Sequence, residues 1–324
     1  MASTTGPGKS YRRGISLIEA VKRFDTEEKA EAWFVAQRWP EGLTCPFCGS
    51  DKVSEVANRK PQPFRCRRAD CRRLFSVKTG TLLHSSNLPL SKWAIAFFLY
   101  STSLKGVSSM KLHRDLGISQ KAAWYMGHRI RGMWDASAER FAGPVEADET
   151  YFGGKEANKH AAKKLRAGRG AVGKAPVAGV KDRATNKVKA KAVARTDAPT
   201  LQGFVHGNTE PSAVVYTDEA RAYDGLRRTR DVVKHSAAEY VKGKAHTNGM
   251  ESFWAVMKRG HNGVYHHFST KHLDRYVQEF AGRHNARPMD TDAQMSRMVS
   301  GADGKRMTYE GLIGPETTRN PRML

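Results

Sequence analysis

The sequence predicts an α/β protein: a mixed sheet flanked by helices, preceded by a small cysteine-bearing module and a helical region. Three observations carry that expectation. Between about residues 144 and 235, short β-branched runs come first in succession and then alternate with helix-like segments. Four cysteines, Cys45, Cys48, Cys66 and Cys71, fall within 27 of the 324 residues. Between those two regions, apolar residues recur at helical spacing.

The elements follow in order. The start, MASTTGPGKSYRRG, lacks the apolar core of a signal peptide and reads as a flexible tail. Over residues 14–40, Leu17, Val21 and Phe24 repeat at helical spacing with Ile18 beside them, and Ala30, Trp33 and Phe34 renew the pattern. The cysteines then form C-x2-C-x17-C-x4-C, a spacing that suits four thiolates around one tetrahedral, structural Zn²⁺. A secreted disulfide framework would not be so local in so long a chain, and free buried cysteines are the plainer alternative. So small a segment buries little, and the metal would supply its folding energy. Arg59, Lys60, Arg65, Arg67, Arg68, Arg72, Arg73 and Lys78 surround it, which favours DNA over a partner subunit as its contact.

From 89 to 137 the pattern is that of a helix-turn-helix, with a plain helical bundle as the alternative. LSKWAIAFFLYSTS reads as a buried helix, SSMKLHRDLG as a short helix stopped by Gly117, and Ser119 as the N-cap of a second helix. On that helix Gln120, Lys121, His128, Arg129 and Arg131 are expected to be exposed and to face phosphates or a groove. From Gly143 onward the expected strands are PVEAD, APVAGV (175–180), KVKAKAVA (187–194), AVVYTD (213–218) and a fifth near 231–235. PTLQGFVHGN and EARAYDGLRR read as helices on either side of the fourth strand. Three strands in a row followed by alternation is the order of an RNase H-like fold, in which the first and fourth strands lie side by side. Residues 155–174 carry seven Lys or Arg without apolar periodicity and read as a loop, either a DNA clamp or a solvated surface. The expected divisions are 1–42 for the tail and first helices, 43–88 for the ribbon, 89–140 for the helix-turn-helix-like region, 141–287 for the sheet domain and 288–324 for a loop-rich tail with no assigned chemistry.

Three acids stand out. Asp148 and Asp218 each end an apolar strand-like run, and Glu251 lies on a helix-like segment. Carboxylates from two strands and a helix can converge on two hard divalent cations, Mg²⁺ foremost and Mn²⁺ as a substitute. Two such ions can activate a nucleophile and stabilise the leaving oxygen of a phosphodiester. Glu149 and Glu219, each adjacent to a chosen aspartate, should face the other way on a strand. Glu146 shares the face of Asp148 and reads as a supporting acid, and Asp224 as a helix-surface residue. Phe253, Trp254, Tyr276, Val277 and Phe280 are expected in the core. His246 and Asn248 precede Glu251 and read as a helix start as readily as a carboxylate-orienting pair. His266 and His267 can line a nucleic-acid groove. No G-x-S-x-G elbow supports a Ser-His-Asp hydrolase.

Charge points to the partner. Lys plus Arg number 55 against 32 Asp plus Glu, a formal net charge of +23, which calls for a polyanion. The longest strongly apolar run, residues 93–100, is far short of a membrane span, so DNA is the expected partner and the expected place is the cytoplasm, on the nucleoid.

The segments DETYFGGKEANKH, VVYTDEARAY, HSAAEYV, HTNGMESFWAVMKRG and VYHHFSTKHLDRYVQEFAGRHNAR, with FSVKTGT after the ribbon, resemble bacterial insertion-sequence transposases that join a zinc ribbon to a DDE nuclease domain. The resemblance spans about residues 15–315. It implies an enzyme that binds the terminal inverted repeats of its element, cuts there, and joins the freed 3′-hydroxyl to target DNA. It places the acidic triad on Asp148, Asp218 and Glu251 and a basic helper on Lys258, seven residues beyond the glutamate on the same helix face. On that basis Asp148 would bridge both Mg²⁺ ions, with Asp218 and Glu251 completing one site each. Joining two element ends implies a homo-oligomer. The rival readings are an RNase H-like nuclease without strand transfer and a domesticated DNA-binding regulator without activity.

Overall fold

The computed structural model describes residues 13–56, 60–134, 138–154, 160–165, 171–232 and 247–314. Two compact units emerge, one built from Met1–Trp134 with Arg287–Leu324 and the other from Asp135–Ala286.

In the first unit, helix α1 (Leu17–Arg23) begins with a reciprocal cap between Ser16 and Glu19. Its buried side is Ala20 and Phe24, while Leu17, Ile18 and Val21 are 49%, 68% and 49% exposed. Of the expected apolar face only Phe24 is therefore buried: a two-turn helix has room for one buried stripe, and the four-residue Ala20–Phe24 step takes it. Helix α2 (Glu27–Arg38) buries Ala30, Trp33 and Phe34 as expected. Edge-to-face contacts run from Phe24 to Trp33 to Phe34 to Phe97, with centroids 5.4, 5.0 and 5.5 Å apart. Phe97 belongs to α3 (Leu90–Thr102), which is buried along most of its length.

Between α2 and α3 lies an antiparallel sheet of three short strands, β1 (Val53–Glu55), β2 (Phe64–Cys66) and β3 (Leu74–Phe75). Its core sets Phe64 and Phe75 against Trp39, with Val35, Leu43, Phe47 and Val53 and the four cysteines around them. Helix α4 (Ser109–Leu116) ends at Gly117, which takes the left-handed φ of 58° that a side chain disfavours. Ser119 caps α5 (Gln120–Arg131), accepting from the Ala122 N–H at 3.2 Å. Gln120 and Lys121 are exposed on α5, but His128, Arg129 and Arg131 are buried, against expectation. Arg129 is spent internally: its guanidinium stacks 4.1 Å from the Tyr125 ring and donates to the His84 carbonyl.

Among the described residues, which end at Gly314, the C-terminal stretch is not loop-rich. Helix α9 (Thr291–Ala302) buries Gln294, Met295, Met298 and Val299 and packs on α2 and α3, and α10 (Tyr309–Ile313) follows.

The second unit holds five strands, β4 (Val145–Phe152), β5 (Ala175–Asp182), β6 (Val188–Ala192), β7 (Val214–Thr217) and β8 (Thr229–Val232). Their order is β6-β5-β4-β7-β8. The first three pair antiparallel, and β7 and β8 add in parallel. This is the RNase H-like arrangement. Helix α6 (Ala198–Asn208) covers one face through Leu201 and Val205 against Val145, Ala147, Val180 and Val215. Helices α7 (Asn248–Gly260) and α8 (Leu273–Ala286) cover the other. There Phe253, Trp254, Tyr276, Val277 and Phe280 lie in the core with Phe152, Val177 and Val188.

One expectation fails locally. After β7 only a single 3-10 turn, Arg221–Tyr223, replaces the expected helix, and Asp224 pairs there with Arg230 at 2.7 Å. Beyond α7 a π turn, His261–Tyr265, extends the helix; Tyr265 anchors it by donating to the buried Glu279 at 2.9 Å. The edge strand β6 is sealed by side chains of α8: Asp274 accepts from the Ala192 N–H, Gln278 donates to the Ala190 carbonyl, and Asn285 bonds both backbone groups of Val188.

Candidate active site

The acidic centre is built by strand register. Val145 pairs with Val215 and Glu146 with Tyr216, so continuing the parallel register two residues sets Asp148 level with Asp218 at the end of β7. Asp218 follows the last residue of that strand, and its Oδ1 accepts from the Ala220 N–H at 3.1 Å, which fixes the turn. The strand alternation puts Glu146 and Asp148 on the α7 face of β4. Glu149 lies on the opposite face, where its Oε2 accepts from the Tyr223 hydroxyl at 2.9 Å.

Burial, then the neighbouring Glu149 and Asp218 carboxylates, push the Asp148 carboxyl up to about 7. Burial also raises Glu149, although the Tyr223 hydrogen bond opposes that rise. Such a crowd of acids fits a divalent cation.

Asp148 is held at both oxygens: the Glu149 N–H donates to Oδ1 at 2.9 Å and the Trp254 indole to Oδ2 at 3.0 Å. The sequence reading placed Trp254 in the core and missed this bond. The signal was its position, one turn after Glu251 on the same helix face. Close approach of α7 depends on Gly179, the register partner of Asp148, where a Cβ would stand 2.4 Å from Met250 Cε and 2.7 Å from Trp254 Cζ2.

Glu251 occupies the first turn of α7 and is exposed, and its Oε1 accepts from the Thr247 hydroxyl at 3.2 Å. Glu251 stands on the same helix as Trp254, whose indole reaches Asp148. Lys258 is exposed in the last turn of the same helix. Thr247, rather than Asn248, is the N-cap residue of α7; Asn248 is the first helical residue, and His246 lies outside the described residues. His266 and His267 are exposed just beyond the π turn, and Glu219 is exposed beside Asp218. The basic 155–174 segment also lies partly outside the described residues.

The second site is the cysteine cluster of the ribbon. The four Sγ atoms lie within 4.8 Å of one another, with Cys45–Cys71 at 3.8 Å and Cys48–Cys66 at 3.7 Å. A tetrahedral ion with Zn–S bonds of about 2.3 Å separates its sulfurs by about 3.8 Å, whereas a disulfide would need about 2 Å. Burial pushes the Cys45 thiol up to about 12, whereas a hydrogen bond from the Ser50 backbone lowers that of Cys48. Arg65, Arg67, Arg68, Arg72 and Arg73 are exposed around the cluster, whereas Lys78 turns inward to the carbonyls of Ser86 and Leu88. Arg59 lies outside the described residues.

Fold and sites together define a zinc-ribbon protein with an RNase H-like domain and an acidic centre. Residues 140–285 match the ISXO2-like transposase domain, and residues 25–74 match the transposase zinc-ribbon domain. The chain is 31% identical over 282 residues to an uncharacterized protein in the transposable element ISH50 of Halobacterium salinarum, covering 80% of this chain and 91% of that protein. The chain belongs to the insertion-sequence transposases of this zinc-ribbon, ISXO2-like type. Among the described residues, no helix is long and apolar enough to cross a membrane.

Proposed function

We propose that this transposase binds the terminal inverted repeats of its own element, cuts the DNA there, and transfers the freed 3′-hydroxyl to target DNA, with Asp148, Asp218 and Glu251 holding two Mg²⁺ ions. The observation that carries this reading is the β4–β7 register, which sets Asp148 level with Asp218 at the sheet's end. When bound, the two ions supply activation of the attacking oxygen and stabilisation of the leaving one. Trp254 fixes the rotamer of Asp148, so that carboxylate is oriented before any ligand arrives. Lys258, exposed on the glutamate's helix, would hold a phosphate of the scissile strand. No side chain needs to form a covalent link to DNA.

The remaining parts serve binding. Zn²⁺ on Cys45, Cys48, Cys66 and Cys71 holds the ribbon in shape, and the exposed arginines around it neutralise duplex phosphates. Two element ends in one complex call for a homo-oligomer.

A cleavage assay tests this reading. Labelled DNA from either end of the element is incubated with protein, with and without Mg²⁺, beside Asp218→Asn. The expected result is Mg²⁺-dependent release of a 3′-hydroxyl at the element boundary, absent in the variant. Tight binding without cutting in Mg²⁺ or Mn²⁺ would replace it with a regulatory reading.

A further inference from the structure

Glu146 is 1% exposed, and a buried carboxylate needs compensation. It finds this on two elements. Its Oε1 accepts from Arg183 Nε at 2.8 Å, just past the end of β5, and its Oε2 accepts from the backbone N–H of Met250 at 2.9 Å, in the first turn of α7. Arg183 in turn lies 4.1 Å over the ring of Tyr216, which is the register partner of Glu146 on β7 and stands two residues before Asp218. Lys181, opposite Glu146 on β5, donates to the Gly249 carbonyl at 3.4 Å.

The first turn of α7 needs such a partner. Its N-cap residue, Thr247, makes no side-chain cap bond to the helix backbone; its hydroxyl donates to the Glu251 carboxylate instead. A helix start has N–H groups without intrahelical acceptors and favours a negative charge. Glu146 supplies both from a neighbouring strand. Gly249 makes room for it, since a Cβ there would stand 2.7 Å from Glu146 Oε2 and 2.9 Å from Lys181 Nζ.

We infer that Glu146 is a positioning residue for the acidic centre: it ties the helix turn bearing Glu251 to the strand bearing Asp148 and, through Arg183 and Tyr216, to the strand bearing Asp218. The inference rests on the proposed triad. Glu146 touches no reacting atom in this role. It sets the spacing of the three acids, so its loss raises the metal concentration that cutting requires and leaves DNA binding alone.

The test compares full-length Glu146→Ala, Glu146→Gln, Gly249→Ala and Glu251→Gln for folding by circular dichroism, for binding of element-end DNA, and for cutting across a Mg²⁺ titration. Glu146→Ala should keep its end binding and need at least about tenfold more Mg²⁺ for half-maximal cutting, the usual scale for losing a residue that orients metal ligands. Glu146→Gln, which keeps one acceptor, should fall between it and the wild type. Gly249→Ala retains the carboxylate but displaces it, and should reproduce the Mg²⁺ shift; it decides the matter if Glu146→Ala does not fold. Wild-type Mg²⁺ dependence in the folded Glu146 and Gly249 variants, with Glu251→Gln inactive, would overturn the inference and leave the triad standing. Full cutting by Glu251→Gln would instead remove the triad and the inference with it.

Discussion

Burial and the carboxylates of Glu149 and Asp218 hold Asp148 at about 7, against an ordinary 3.8. A raised carboxyl lends its stability below its unfolded value and loses it as pH climbs through the folded one. The metal-free protein should therefore gain from Asp148→Asn on the order of 2 kcal/mol at pH 8, shrinking to nothing near pH 4. Thermal melting at the two pH values checks this, and an equal effect at both would contradict it. Asp148 and Asp218 were legible as residues because each ends an apolar run; their being level was legible only through the expected strand order. The buried bonds of Trp254 and Glu146 were less so. An aromatic on a helix facing a sheet is core by default, and whether its indole meets a carboxylate depends on packing that no periodicity encodes.

At the level of elements, α7 approaches β5 because Gly179 has no side chain. Gly179→Ala should cost about 2 kcal/mol, the usual scale for overpacking a filled core, and should reduce cutting as well. Gly203→Ala on α6 is the control: nothing lies within 4 Å of its Cβ position, so it should stabilise by about 0.5–1 kcal/mol. Denaturant melts of the two proteins should move in opposite directions. The side-chain seal over β6 makes a second prediction. Gln278→Ala with Asn285→Ala uncovers Ala190 and Val188, so concentration-dependent light scattering should rise above the wild type; unchanged scattering would show that the edge needs no cover. Most elements could be read from period and caps, α3 to α5 and the five strands among them. The failures have physical causes. Residues 219–228 looked helical but are diverted after one turn, Gln202 of α6 capping the carbonyls of Ala222 and Asp224. The apolar stripe Met295, Met298, Val299 was present in the sequence, but its short length and flanking acids hid a helix that packing on α2 and α3 stabilises.

At the scale of the whole molecule, the chain divides into two compact units, and only one holds the cysteine cluster. With so small a core around its four cysteines, the ribbon is expected to depend on its metal. Chelation should strip hydrogen-exchange protection from β1 and β2 while β4 to β7 keep theirs; protection retained in both would argue against a structural ion. The family was legible in the sequence because long motifs carried it, and net charge pointed to a polyanion. The burial of His128, Arg129 and Arg131 was not, because a cation at helical spacing looks alike whether it faces phosphate or its own unit. The central claim is that Asp148, Asp218 and Glu251 together form a divalent-cation site. Anomalous diffraction from crystals soaked in Mn²⁺ addresses it most directly. Two peaks among those three carboxylates are expected, both lost in Asp148→Asn, whereas Mn²⁺ bound only elsewhere, or none at saturating concentration, would contradict the account.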